Sequence, residues 1–144
     1  MSFEQQRDGV AHCNCGALRR AARRATNFYD AKLAPTGLRL TQFSMLALVY
    51  EAAGALTVNE MAARLDLDRT TTGKNLRPLE RDGLIQVAPC PTDRRSHQIT
   101  LTDAGRERLR AGTALWREAQ RAFEAANGGA AALRKTLDGL SIPA

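Results

Sequence analysis

The sequence predicts a mainly α-helical protein with one small β-hairpin. Apolar residues recur at the three- and four-residue spacing of a helical face through most of the 144 residues. One short interval, residues 85–101, instead alternates apolar and polar residues on either side of a proline- and arginine-rich segment, as the strands of a hairpin do. Proline and glycine separate the helical segments and divide the chain into short elements.

Length and composition favour a single domain, residues 1–144, with one hydrophobic core. Apolar residues make up 44% of the chain and charged residues 25%, and no apolar run is long enough to cross a bilayer. The N-terminus lacks an apolar signal-peptide core, and three cysteines, an odd number, fit a reducing compartment. We therefore expect a cytoplasmic protein. The net charge of +6 favours a polyanionic partner.

Two helices are predicted in the first third of the chain. Residues 15–33 follow the spacing of one long helix that carries a cluster of arginines. Pro35 and Gly37 end this helix, and Thr41 is placed to cap the next one, which ends near Gly54. The buried face predicted for the second helix consists of Phe43, Leu46, Ala47 and Tyr50.

A pair of short helices joined by a tight turn is predicted next. Thr57 and Glu60 have the spacing of a capping box at the start of the first helix. Asp68 can cap the second helix, which we expect to end before Gly83. This is the helix-turn-helix arrangement, in which the second helix lies in the major groove of DNA.

The second helix of this pair contains threonines, a glycine and a proline, which are poor helix formers. On a helical wheel with Leu79 inward, Leu76 and Thr72 fall on the same side. Small polar residues on the other side let the helix approach a groove, where hydroxyls can bond bases or phosphates. That outward stripe contains Thr70, Lys74, Arg77 and Arg81, with Thr71 on its flank. A solvated amphipathic helix is the alternative.

A hairpin with a basic loop follows the helix pair. Strands are predicted at residues 85–88 and 98–101, and the segment PCPTDRRSH lies between them. A two-stranded wing beside a helix-turn-helix can place arginine in the adjacent minor groove, where the negative potential is enhanced. The candidates are Arg94, Arg95 and His97.

These segments resemble the MarR (multiple antibiotic resistance regulator) family of winged helix-turn-helix transcription factors. The resemblance rests on LTQFSMLALV, on LTVNEMAARLDLDRTTTGKNLRPLERDGLI and on DRRSHQITLTDAGR. In the last segment the family pattern is matched by Asp93, Arg95, Leu101 and Thr102. The resemblance covers roughly residues 13–140. It implies a dimer, a recognition helix at residues 68–82, and an Arg95 that reaches DNA while Asp93 holds it.

The C-terminal part of the chain has apolar seams longer than one small domain needs. The first seam contains Leu109, Gly112, Trp116, Ala119 and Phe123, and the second contains Leu133, Leu137 and Leu140. A core within one subunit is the alternative for the final helix. We expect residues 13–34 and 102–144 to form dimerisation helices around a two-fold axis, beside a winged lobe of residues 41–101. The DNA site should then be an inverted repeat.

These features predict sequence-specific binding of double-stranded DNA by a homodimeric regulator. The sequence contains no Gly-rich phosphate loop, nucleophile elbow or paired-carboxylate motif, so we predict neither an enzyme nor a cofactor. An architectural basic DNA-binding protein is a more distant alternative that would not need the wing. A metal sensor using His12, Cys13 and Cys15 is another, although Cys-x-Cys is tighter than the usual zinc pair.

Regulation is expected through a small molecule or an oxidant. The resemblance implies a repressor that is released by an aromatic or phenolic effector, with Tyr29, Phe43 and Trp116 as the suggested lining of its site; an aromatic core is the alternative. Some family members sense peroxides with a cysteine near the start of the first helix, which makes Cys13 and Cys15 redox candidates, with two unreactive thiols as the alternative. Were both cysteines helical, their side chains would point about 200° apart, a poor geometry for a disulfide within one chain.

Overall fold

A computed structural model describes Gly9 and residues 11–144, which are mainly helical with one small sheet. The helices are α1 (Asn14–Leu33), α2 (Leu40–Glu51), α3 (Val58–Arg64), α4 (Arg69–Arg81), α5 (Asp103–Ala126) and α6 (Ala131–Asp138). The strands are β1 (Leu56–Thr57), β2 (Ile85–Cys90) and β3 (Asp93–Leu101). No helix in this part of the chain is long and apolar enough to cross a bilayer. Most of the N-terminal segment on which the signal-peptide prediction rests lies outside the described residues.

The helix pair α3 and α4 begins at the predicted caps. Thr57 Oγ1 accepts the N–H of Glu60 at 3.1 Å, and Glu60 Oε2 accepts the N–H of Thr57 at 3.2 Å. Asp68 Oδ1 accepts the N–H of Thr71 at 2.7 Å. Both capping predictions are confirmed, because each side chain satisfies a backbone donor that the first helical turn leaves unpaired.

Helix α2 begins earlier than predicted and is buried on a different arc. Its N-cap is Arg39, whose N–H donates to Gln42 Oε1 at 3.1 Å, so Thr41 lies inside the helix and is not the cap. The buried residues are Phe43, Met45, Leu46 and Val49. Tyr50, which was predicted to face inward, is 63% exposed. Tyr50 lies near the C-terminal end of the helix, at the edge of its buried face, and its side chain lines an open cleft.

The hairpin is longer than predicted and pairs with a third strand. Strands β2 and β3 are antiparallel and are joined by Pro91 and Thr92 alone, so the basic residues belong to β3 and not to a loop. Strand β1 pairs with the other edge of β3, where Leu56 lies opposite Ile99. A strand of two residues is too short to show alternation, which is why the sequence did not indicate β1.

The start of α5 is fixed against the end of α4. Thr102 Oγ1 accepts the N–H of Gly105 at 3.0 Å and donates its proton to the carbonyl of Gly83 at 2.6 Å. A β-carbon on Gly105 would lie 2.0 Å from the carbonyl oxygen of Leu84. Glycine is therefore required at this close approach, which joins the long helix α5 to the helix-turn-helix.

Helices α1 and α6 lie outside the winged lobe. Helix α1 packs against α5, and the hydroxyl of Tyr29 donates to Gln120 Oε1 between them. Helix α6 has no buried residue, its leucines Leu133 and Leu137 are exposed, and so is Leu140, which lies beyond the end of the helix. A core within one subunit is therefore wrong for α6 in the described chain. In α5, Leu109, Gly112 and Ala119 of the predicted seam are buried, and Trp116 and Phe123 are half-buried.

Candidate nucleic-acid interface

Helix α4 presents a polar and basic stripe on its exposed side. Thr72, Leu76 and Leu79 are its buried residues, as the helical wheel predicted. No salt bridge among the described residues engages Lys74 or Arg77, whereas Arg81 pairs with Asp82 at 3.6 Å. The exposed stripe contains Thr70, Lys74, Arg77 and Arg81, and Thr71 is half-buried beside it. Two of its cations are thus available to an anionic partner.

The first turn of α4 is held by side-chain hydrogen bonds. Asp68 accepts both the N–H of Thr71 at 2.7 Å and the hydroxyl of Thr71 at 2.9 Å, and these two bonds lower the pKa of the Asp68 carboxyl. The hydroxyl of Thr72 donates to the Asp68 carbonyl at 2.8 Å. Asn75 Nδ2 donates to the Thr71 carbonyl at 2.9 Å, one turn further on. These bonds fix the N-terminal part of the helix before any ligand is bound.

The wing carries its arginines on an irregular part of β3. The pairing with β2 passes over residues 94–96, which have no partner in the register. Asp93 Oδ1 accepts the backbone N–H of Arg95 at 3.0 Å, and Asp93 Oδ2 accepts the hydroxyl of Ser96 at 3.2 Å. The carboxylate therefore holds the backbone of this bulge, and no salt bridge joins it to the guanidinium of Arg95. The side chains of Arg94, Arg95 and His97 are all exposed.

A cleft of about 1130 Å³ lies between α2, α5 and the end of α3. The rings of Phe43 and Trp116 stack in its wall with centroids 6.0 Å apart and an interplanar angle of 26°. A β-carbon on Gly112 would lie 2.9 Å from the Phe43 ring, so the glycine leaves room for that ring. Tyr29 is not part of the lining. The structure thus brings two of the three suggested effector residues together and places the third elsewhere, between α1 and α5.

The cleft is also lined by arginines that the sequence analysis did not single out. Arg106 and Arg110 pair with acidic neighbours on α5, but no salt bridge in the described chain engages Arg64 or Arg117. Glu51 supplies the carboxylate of the lining. A cationic cleft with stacked aromatic rings suits a flat organic anion. The arginines are Arg64, Arg106, Arg110 and Arg117, and the helical spacing of the last three was a usable sequence signal.

The cysteines lie at two places on the surface. Cys13 is the N-cap of α1, with an extended backbone (φ −66°, ψ 120°), and its sulfur accepts the N–H of Gly16 at 3.5 Å. The pair is therefore not wholly helical, and the condition for the predicted 200° separation from Cys15 is not met. In the wing, a hydrogen bond with the Thr92 hydroxyl at 3.3 Å lowers the pKa of the Cys90 thiol. Among the described residues, no group of three potential ligands could hold a metal ion.

The capped helix pair, its basic stripe and the arginine-bearing wing define a winged helix-turn-helix protein. A family model described as the MarR family matches residues 36–96. The transcriptional regulator MosR of M. tuberculosis, solved in complex with DNA, is 38% identical, with 88% of this chain and 92% of that chain covered and a TM-score of 0.80. The chain belongs to the MarR family of DNA-binding transcriptional regulators, and the predicted fold and family are confirmed.

Two further relatives are similar over different lengths. The transcriptional repressor CouR bound to a 23-mer DNA duplex is 34% identical over 74% of either chain, with a TM-score of 0.65. CouR from Rhodococcus jostii RHA1 bound to p-coumaroyl-CoA is 27% identical, with 91% and 94% coverage and a TM-score of 0.74. The regulator TtmR of Methylorubrum extorquens is 36% identical over 92 residues, 64% of this chain and 47% of TtmR. The chain spans about half the length of the curated relatives it matches.

Proposed function

We propose that the chain is a homodimeric repressor that binds an inverted repeat in duplex DNA. Helix α4 enters the major groove and the wing reaches the flanking minor groove. The observation that carries the proposal is the set of exposed cations on α4 and on the bulge of β3. The structures of MosR and CouR, each solved in complex with DNA, support this proposal. The proposed contacts are Thr70, Thr71, Lys74, Arg77, Arg94, Arg95 and His97.

The uncovered face of α6 supports the homodimer. Leu133, Leu137 and Leu140 are between 37% and 47% exposed, and no residue of this helix is buried within the described protomer. A second copy of the chain would cover these leucines around a two-fold axis. The axis would place the two recognition helices about 34 to 36 Å apart, one turn of DNA, and so requires an inverted repeat.

The DNA-binding proposal is tested with two variants of equal charge. A binding site is first selected from a random duplex library, and its affinity is measured by fluorescence anisotropy at several salt concentrations. Replacing Lys74, Arg77 and Arg95 with alanine should weaken binding about 100-fold or more and reduce the salt dependence, because fewer counterions are released. The control replaces Arg19, Arg23 and Arg121, which are exposed on α1 and α5.

The control variant separates the position of the charges from their number. It loses the same three positive charges, so we expect it to keep most of the affinity and the salt slope. Equal losses in both variants would mean that net charge alone drives binding. An unchanged affinity and salt slope in the first variant would remove α4 and the wing from the DNA interface.

For regulation, we infer that the cleft beside α5 binds an aromatic or phenolic anion. Its ring would pack against Phe43 and Trp116, and its negative group would pair with Arg64 or Arg117. The p-coumaroyl-CoA complex of CouR supports an effector of this chemistry. Binding would release DNA if the ligand favours a conformation in which the two recognition helices no longer fit successive major grooves.

The effector proposal is tested by thermal shift with a panel of aromatic carboxylates, followed by DNA release. A compound that raises the melting temperature should also lower the affinity for the selected site. Trp116→Ala should lose both responses. Tyr29→Phe, a change outside the cleft, should keep them. Responses that survive in Trp116→Ala would place the effector elsewhere.

The cap formed by Cys13 favours a second candidate, a repressor that responds to oxidants. The Cys13 thiol is exposed at the start of α1, where a peroxide can reach the sulfur. Cumene hydroperoxide would transfer one oxygen to the sulfur, giving a sulfenic acid and the corresponding alcohol, and a second thiol could then form a disulfide with loss of water. That thiol would come from a second protomer, with Cys15 as the first candidate, or from Cys90.

Peroxide titration of the DNA complex tests this candidate. Wild type should release DNA, Cys13→Ser should not, and Cys15→Ser should show whether the second thiol is needed. Release that persists in the double serine variant would remove both cysteines from the mechanism. Wild type that holds DNA throughout the titration would leave the small-molecule effector as the regulator.

A further inference from the structure

A hydrogen bond within the protein fixes the Thr71 hydroxyl as a donor to Asp68. Its hydroxyl donates to Asp68 Oδ2 at 2.9 Å, while Asp68 Oδ1 accepts the backbone N–H of the same residue at 2.7 Å. An ionised carboxylate has no proton to donate, so the hydroxyl cannot be the acceptor in this contact. The proton of the Thr71 hydroxyl is therefore committed, and only its lone pairs remain for another partner.

Thr71 lies where a recognition helix contacts bases. It is in the first turn of α4, half-buried beside the exposed Thr70 and one turn before the half-buried Asn75. The N-terminal residues of a recognition helix reach base edges in the major groove. There adenine N6 and cytosine N4 are donors, whereas guanine O6 and N7 and thymine O4 are acceptors. A hydroxyl that can only accept distinguishes these two classes.

We propose that Asp68 makes Thr71 an acceptor-only reader, which restricts one position of each half-site to adenine or cytosine on the strand that Thr71 faces. This inference rests on the proposed function, because it needs α4 in the major groove. Thr70 provides the contrast. Its hydroxyl makes no hydrogen bond within the described residues, so it can donate or accept and does not separate the two classes of base.

The experiment compares the sites that four proteins select from a random duplex library: wild type, Asp68→Asn, Thr71→Val and Thr70→Val. In Asp68→Asn, Oδ1 keeps the backbone N–H, and the amide nitrogen faces the Thr71 hydroxyl and donates to it. The hydroxyl proton is then free and one lone pair remains, so the preference for adenine or cytosine at this position should be lost, and guanine and thymine should be accepted as well. Thr71→Val should lower the preference there about fivefold or more.

Thr70→Val is the matched control, because it makes the same chemical change at a hydroxyl that Asp68 does not hold. It should leave the position read by Thr71 unchanged. Both Thr71→Val and Thr70→Val keep Asp68 and its backbone bond, so a poorly folded Asp68→Asn does not prevent the test. Circular dichroism and thermal melts establish the fold of each variant.

The outcomes separate this inference from the proposed function. If wild type enriches no sequence, the proposed function fails and this inference fails with it. If wild type enriches a site that Thr71→Val selects unchanged, Thr71 is not a reader, and the proposed function stands. A preference that Thr71→Val loses but a folded Asp68→Asn retains would overturn the role of Asp68.

Discussion

The winged lobe and helix α6 both carry leucines at helical spacing, but only the lobe covers them. Leu46, Leu76 and Leu79 are at most 4% exposed. On α6, Leu133 and Leu137 are 37% and 44% exposed. Spacing identifies residues that share a face of a helix, but it does not say what packs on that face. The same pattern therefore marks a core in one region and an uncovered surface in the other.

This difference divides the stability of the protein into two parts. Burying a leucine contributes about 1.5 to 3 kcal/mol. In the lobe this contribution is realised within one chain, and it does not depend on protein concentration. On α6 it is realised only when another surface covers the leucines, so it depends on concentration. Variants can affect one part and spare the other.

The largest expected effect is at the uncovered face. Leu137→Glu replaces an exposed apolar side chain with a charge that a second protomer would have to bury. Because a two-fold interface contains the change twice, the dimer dissociation constant should rise about a hundredfold or more. Analytical ultracentrifugation over a range of concentrations measures it, and circular dichroism should show that the lobe remains folded.

Lys135→Gln is the matched control for this variant. It changes the charge by the same amount on the same helix, about 200° around from Leu137, and should leave the dimer intact. A Leu137→Glu protein that associates like wild type would contradict the proposed interface. So would an equal loss of association in the control.

The next effect is inside the lobe, where Gly105→Ala should lower the free energy of unfolding by about 2 kcal/mol. The added β-carbon would meet the Leu84 carbonyl oxygen at 2.0 Å, and a backbone atom cannot move aside as a flexible side chain can. Urea unfolding measures the change, which should be the same at low and high protein concentration. A variant as stable as wild type would show that α5 and the α4–β2 connection are not closely packed.

The parts of the fold that the sequence predicted are those determined by local contacts. The capping of α3 by Thr57 and of α4 by Asp68 depends on residues three apart, and the inward side of α4 depends on helical spacing alone. Tyr50 and β1 were missed because their environment comes from distant parts of the chain. For Tyr50 the buried arc of α2 is set by the elements that pack on it, and β1 exists only as a partner of β3.

The candidate sites show the same contrast between residues that one helix groups and residues that only the tertiary fold brings together. Thr70, Lys74 and Arg77 share a face because one helix carries them, so the sequence could group them. The cleft combines residues of three helices, and Arg64 joins the three arginines of α5 only where α3 meets α5. Tyr29 was assigned to the cleft because it is aromatic, although its hydroxyl donates to Gln120 of α5, which is not among the residues that line the cleft. Residue type alone could not settle its position.

A smaller effect is expected on the exposed side of α4. A β-carbon on Gly73 would meet nothing within 4 Å, so Gly73→Ala should raise the free energy of unfolding by about 1 kcal/mol through helix propensity. If the glycine allows close approach to the groove, the affinity for the selected DNA site should fall although the protein is more stable. Urea unfolding and fluorescence anisotropy test the two effects separately. An unchanged affinity would show that DNA does not approach this position.

The smallest expected effect is on the pKa of Tyr29, which depends both on burial between α1 and α5 and on a charge of α6. Burial between α1 and α5, together with the charge of Glu124, raises its pKa above 10.0, and Arg134 of α6 opposes this shift. Glu124 and Arg134 form a salt bridge at 3.4 Å, so a change at Arg134 on α6 should shift the pKa of the Tyr29 phenol.

Because the folded pKa is raised, the stability from Tyr29 is fully present below the unfolded value near 10 and is lost as the pH rises through the folded value. Tyr50→Phe leaves Tyr29 as the remaining tyrosine, so the tyrosinate absorbance reports it alone. We expect its midpoint to lie above that of free N-acetyltyrosinamide. The midpoint should fall when Glu124→Gln is added and rise when Arg134→Ala is added. A midpoint at or below that of the free compound would mean that α1 and α5 do not bury the phenol, and an Arg134→Ala midpoint that does not move would separate α6 from this junction.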